Sequence, residues 1–161
     1  MFPAGPAAVV PRPDALFWGW RSALCTCNVM VITTTSRRAD SVAVTRVLVV
    51  DDHDVVRHAL AAALNTLADI DIVGCCVDGV EAVAAAARLR PDVVVMDLAM
   101  PRMGGLDATR EILAGAPETR IVVLTAATPG RHTEQALAAG ACACLYKDAG
   151  LDALIATLRS L

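Results

Sequence analysis

The sequence predicts a doubly wound α/β domain built on a five-stranded parallel sheet, and three observations carry that expectation. Short Val-rich runs at 47–50 (VLVV), 93–96 (VVVM) and 121–124 (IVVL) read as strands buried on both faces. Longer stretches with apolar residues at helical spacing lie between them. Strand and helix then alternate along the chain, as parallel neighbours joined by right-handed crossovers require.

Taken in order, the first strand at 47–50 is followed by a helix, because Val55, Val56, Ala59, Leu60, Ala63, Leu64 and Leu67 recur on one face. Residues 70–73, interrupted by Asp71, suit an edge strand. Helical patterns follow at 79–90, 106–113 and 131–139, separated by the second and third Val-rich runs. A weaker strand at 141–146 precedes a last helix marked by Leu151, Leu154, Ile155, Leu158 and Leu161. The expected strand order is 2-1-3-4-5, the flavodoxin-like arrangement, with ligands bound outside the carboxyl ends of the strands where the order reverses.

The chain has 161 residues, enough for one ordinary domain and an appendage. Residues 45–161 form the expected domain. Residues 1–44 form an extension expected to be poorly ordered, broken by Pro3, Pro6, Pro11 and Pro13. Within it, Ala15 to Thr33 is apolar, but Arg21 and Asn28 interrupt it and argue against a membrane span. Met30 is an alternative start. Apolar residues make up 56% and the formal net charge is −3, which fits a soluble domain. No basic face is available to displace counterions from nucleic acid, so no direct DNA binding is expected of this chain. None of the six cysteines has the two-residue spacing of a zinc or redox motif. They read as buried free thiols in a cytoplasmic protein.

Chemistry is expected at the strand ends. Strand one runs into Asp51 and Asp52, strand three into Asp97, strand four into Thr125 and strand five into Lys147. Carboxylates gathered on one rim repel one another unless they recruit a cation, and an all-oxygen site of this kind suits Mg2+. Thr125 can donate to a phosphoryl oxygen and Lys147 can balance its charge. Those are the parts needed to move a phosphoryl group onto a carboxylate. Taken singly, each residue has a plainer role: Asp52 or Asp54 as a helix cap, Asp97 as a turn residue, Lys147 as a solvated lysine. His53 reads as a helix-start residue, because a hard cation prefers oxygen. Joint placement on one rim favours the chemical reading.

The segments VLVVDDHDVVR, VVVMDLAMPRMGG, IVVLTAA and GACACLYKD closely resemble the receiver domain of two-component response regulators, in particular the NarL/FixJ or LuxR-type branch. The resemblance spans residues 45–161. It implies that Asp97 is the phosphoacceptor, taking phosphate from a sensor histidine kinase. It further implies that Asp52 ligates Mg2+ directly, that Asp51 acts mostly through water, and that the backbone carbonyl of Ala99 and Asp97 itself complete the protein's share of the site. Thr125 becomes the switch residue and Lys147 the partner of the phosphoryl oxygens. The domain would catalyse only its own phosphorylation and dephosphorylation, and would signal through the surface of helix four, strand five and helix five to a second copy or a downstream effector.

Two departures stand out. The aromatic usually found three positions before the lysine is Cys144 here, with Tyr146 nearby, and Asp148 rather than proline follows the lysine. The sequence stops at Leu161 without the helix-turn-helix segment of many LuxR-type regulators, so a stand-alone receiver and a shortened transcription regulator are both compatible with it. The alternatives are an aspartyl-phosphate-forming hydrolase and a binding module that is never phosphorylated. Hydrolases resembling the haloacid dehalogenase group carry an aspartate two residues after the nucleophile, where this chain has Ala99, and the intact set of acid, threonine and lysine positions disfavours a silent module. Ala99 and Ala127 offer no polar group to orient an attacking water, so slow autodephosphorylation is expected.

Overall fold

The computed structural model describes residues 44–126 and 131–161. The expected extension up to residue 43, with its apolar stretch, Met30, Cys25 and Cys27, lies outside the described residues, as does Ala127. Five strands alternate with five helices: β1 (Thr45–Val50), α1 (Asp54–Leu64), β2 (Ile70–Cys76), α2 (Gly79–Leu89), β3 (Val93–Met96), α3 (Gly105–Gly115), β4 (Arg120–Thr125), α4 (Arg131–Ala138), β5 (Ala143–Tyr146) and α5 (Leu151–Ser160). All neighbours are parallel and the order is β2-β1-β3-β4-β5, as the sequence predicts. Among the described residues, no helix is long and apolar enough to cross a membrane.

Pleating sorts the Val-rich runs into two cores. Leu48, Val50, Val94, Met96, Ile121 and Val123 face one side, against Ala82, Ala85 and Ala86 of α2, Ala108 and Ile112 of α3, and Ala136 of α4. Val47, Val49, Val93, Val95, Val122 and Leu124 face the other, against Leu64 of α1 and Leu154 and Leu158 of α5. Both faces of the central strands are thus dry, which explains why they read as unbroken apolar runs.

Local differences from the sequence reading have physical causes. β2 continues through Cys76 because a bulge absorbs one residue: Val47 pairs with Ile72 but Leu48 pairs with Gly74. A side chain at 74 would press on Leu48 Cδ1 and Leu89 Cδ1, each 3.1 Å from an ideal Cβ, so glycine suits the bulge. In α1 the expected apolar face is rotated. Val55 is 82% exposed while Arg57 is only 6% exposed, because the buried line of the helix runs through Arg57 and Leu64. The helix stops at Leu64, and Leu67 packs against the second core from the turn beyond. Cys75, Cys76, Cys142 and Cys144 are free, but only Cys76 is buried; Cys75 and Cys142 are exposed, since Cys75 sits on the edge strand with its side chain opposite to that of Cys76. Burial pushes the Cys76 thiol up to about 11, which leaves it protonated and inert near neutral pH.

The rotated face of α1 has a measurable consequence. Leu64→Ala is expected to cost about 2–5 kcal/mol of folding free energy, whereas Val55→Ala should stay within about 0.5 kcal/mol of the wild type. Urea unfolding of the two variants checks the contrast.

Candidate functional site

The site is assembled by continuing each strand one or two residues past its end. Val50 pairs with Met96 on adjacent parallel strands, so the residues that follow them, Asp51 and Asp97, emerge side by side. Two backbone bonds extend the sheet to hold them there, from Asp51 N to Cys76 O (3.2 Å) and from Asp97 N to Val50 O (2.9 Å). Thr125 ends β4 and pairs with Tyr146, which ends β5. Lys147 therefore starts on the same rim, although it opens a short 3-10 turn rather than closing the strand.

Asp51, Asp97 and Thr125 are all buried, at 2%, 4% and 2% exposure. Lys147 reaches across to both acids, its Nζ donating to Asp51 Oδ2 at 2.6 Å and to Asp97 Oδ2 at 2.9 Å. It is the chain's single lysine. Burial pushes its pKa down, but the hydrogen bonds and attraction of the two carboxylates outweigh that cost and hold it above the usual 10.5. The other oxygens of the two acids are also engaged: His53 N donates to Asp51 Oδ1 at 2.9 Å, and Leu98 N donates to Asp97 Oδ1 at 2.7 Å.

Asp52 differs. Its Oδ1 is buried and makes no hydrogen bond of good geometry, although His53 Nδ1 lies 2.8 Å away. Asp51, Asp52, His53 and Asp97 each present a ligand atom, and these atoms lie within 4.8 Å of one another. Formally, three carboxylates facing one ammonium leave an excess negative charge that a divalent cation would offset. The orphaned oxygen of Asp52 and the oxygen-rich donor set fit such an ion.

A cleft of about 450 Å³ opens from this cluster between α3 and α4. Asp97, Ala99, Thr125 and Lys147 line its floor, with Arg110 of α3 and His132 and Gln135 of α4 further out. The structure thus brings together Asp51, Asp52, Asp97, Ala99, Thr125 and Lys147. The cap reading fails for Asp52 and Asp54: the N-cap of α1 is His53, which makes no side-chain cap bond. His53 is a helix-start residue, as read from the sequence, but its ring also borders the carboxylates.

Sequence reasoning missed the buried supports. Arg57 Nη1 donates to Asp51 O at 2.8 Å, and the same guanidinium pairs with Asp54. Asp78 caps α2 by accepting from Glu81 N at 3.0 Å, while Glu81 reaches back to accept from Val77 N at 3.3 Å. That second arrangement had a legible signal, the acid-x-x-Glu pattern of a capping box. Burial pushes the Asp78 carboxyl up, yet the Glu81 amide and the Arg102 guanidinium together hold it below the usual carboxylate value.

Comparison with known proteins agrees with this geometry. The model of the response regulator receiver domain matches residues 47–159. The chain belongs to the response regulator receiver family. It is 40% identical over 114 residues to response regulator GacA of Pseudomonas viridiflava, covering 71% of this chain and 53% of that protein. Among solved structures, the response regulator domain of Thermotoga maritima CheB matches with a TM-score of 0.68 and 34% identity, covering 73% of this chain and 95% of that one. The signal receiver domain of the putative response regulator NarL from Mycobacterium tuberculosis matches with a TM-score of 0.67 and 28% identity, over 73% and 98%. The chain spans about half the length of the curated relatives it matches.

The lysine bridge predicts a pH dependence. Its folded pKa is raised, so the stability it contributes is complete below about pH 10.5 and is lost as pH rises through the higher folded value. Lys147→Met should be less stable than wild type near neutral pH by about 2 kcal/mol. The gap should narrow above pH 10.5, as followed by urea midpoints across that range.

Proposed function

We propose that this receiver domain accepts a phosphoryl group on Asp97, with Mg2+, from a sensor histidine kinase. The observation that carries the reading is that Lys147 donates to both Asp51 and Asp97, and that Asp97 and Lys147 line one cleft together with Thr125 and Ala99. Asp97 holds one oxygen against the Leu98 amide, which orients the carboxylate, and the other against Lys147. One of these oxygens attacks phosphorus, the bond from phosphorus to the donor's imidazole nitrogen breaks, and the departing imidazole takes a proton from solvent. The product is an acyl phosphate on Asp97. Lys147 then exchanges its contact with the carboxylate for the phosphoryl oxygens, and the Thr125 hydroxyl donates to one of them. Mg2+ would offset the charge of the entering group.

The carboxylates divide the metal's ligation unequally in this reading. Asp51 already has both oxygens engaged, which suits an indirect role, whereas the orphaned Oδ1 of Asp52 suits direct ligation. Ala99 would contribute its carbonyl. The output surface is that of α4, β5 and α5, acting on a second copy or an effector in the cytoplasm. A hydrogen bond of 2.6 Å between the Thr133 and Tyr146 hydroxyls ties α4 to β5 on that side.

Incubation with acetyl phosphate and Mg2+, followed by intact-mass measurement, is expected to show one phosphate adduct on the wild type, abolished by a chelator and absent from Asp97→Asn. An adduct that persists in Asp97→Asn would assign the acceptor elsewhere. Because Ala99 places only a methyl group beside the cleft, Ala99→Asn should lose its phosphate faster than the native domain, and slower loss would remove that part of the reading.

A further inference from the structure

The loop that follows the phosphoacceptor, residues 98–104, is held from outside the site by a pair of charges the chemistry does not use. Arg102 has φ 61, in the left-handed region, which costs a residue with a side chain about 1 kcal/mol. Its guanidinium ion pairs with Asp78 at the head of α2 and lies 3.2 Å from Glu81 Oε1. Asp78 is 1% exposed. Its Oδ1 caps α2, and its buried Oδ2 accepts no hydrogen bond of good geometry and faces Arg102 instead. Releasing Arg102 would leave a buried carboxylate without its counter-charge, so the pair is strongly held.

The backbone around this pair has no slack. Gly79 N donates to Met103 O at 3.1 Å, and Gly105 N donates to Leu98 O at 3.0 Å. A Cβ at Gly79 would lie 2.7 Å from Met103 O, and one at Gly105 only 2.0 Å from Asp97 O. The first amide of the loop, Leu98 N, is the one that orients the Asp97 carboxylate. A shift of the loop is therefore transmitted directly to the acceptor.

We propose that Arg102 is a positioning residue for the phosphoacceptor: through its ion pair with Asp78 it fixes residues 98–104, and with them the orientation of Asp97 and of the Ala99 carbonyl that would ligate the cation. The proposal rests on the phosphoacceptor reading above. Arg102 touches no reacting atom; it acts through the loop.

Arg102→Gly removes the guanidinium and its contacts with Asp78 and Glu81 while glycine keeps the left-handed conformation without strain, and Arg102→Lys, which restores the charge, separates that loss from any loosening of the backbone. Two readouts serve: Mg2+ affinity of the unphosphorylated protein by titration calorimetry, and amide hydrogen exchange at Leu98 and Gly105 without metal. Arg102→Gly is expected to weaken Mg2+ binding about tenfold, the low end for loss of a support behind metal ligands, and to speed exchange at both amides. Arg102→Lys should restore most of the affinity. Asp78→Asn keeps the helix cap and the volume while removing the charge, and should weaken Mg2+ binding to a similar extent, so the test survives if Arg102→Gly fails to fold. A folded Arg102→Gly or Asp78→Asn with wild-type affinity and exchange overturns the proposal. If the wild type itself neither binds Mg2+ nor gains phosphate on Asp97, the phosphoacceptor reading falls; a competent wild type matched by its Arg102→Gly variant sinks the positioning role alone.

Discussion

Two carboxylates that leave neighbouring strands side by side, almost without access to water, must be given a positive partner or they would push the rim apart. Lys147 supplies it from the far side of β4, contacting Asp51 and Asp97 together. The strand order makes this possible, since β1 and β3 are adjacent while β5 lies two strands away, within the reach of one long side chain. That arrangement holds an oriented acid, places an ammonium group beside it, and leaves an uncompensated negative charge that a metal would offset.

Much of the fold was legible because the central strands are dry on both faces. A run such as VVVM can hardly be placed elsewhere, and the polar residues that break each run, Asp51, Asp97 and Thr125, mark the strand ends by their chemistry alone. The illegible parts are those decided by contacts between distant residues. Periodicity assigns an arginine to solvent, yet Arg57 is buried because the carbonyl of Asp51 and the carboxylate of Asp54 receive its guanidinium. Val55, two residues earlier on α1, faces outward instead. Asp78 and Arg102 lie far apart in sequence, and nothing local to either announces their pairing. The bulge at Gly74 was hidden for a similar reason: it is a register adjustment between two strands, and one strand read alone cannot show it.

The altered aromatic position acquires a structural meaning. Residues two apart on a strand point to the same face, so Cys144 and Tyr146 share one side of β5. Cys144 packs partly against the core that α2, α3 and α4 cover, and Tyr146 bonds to Thr133 of α4. The bulky ring has moved one pleat along the strand, toward the rim that carries Lys147. Tyr146 pairs with Thr125 across the β4–β5 ladder and directly precedes Lys147 in the chain.

The solitary lysine leaves this domain with one side-chain amine, and that amine bridges the two acids. Any reagent that consumes a lysine amine therefore has one target in this chain, and capping that nitrogen would remove the hydrogens that join Asp51 to Asp97.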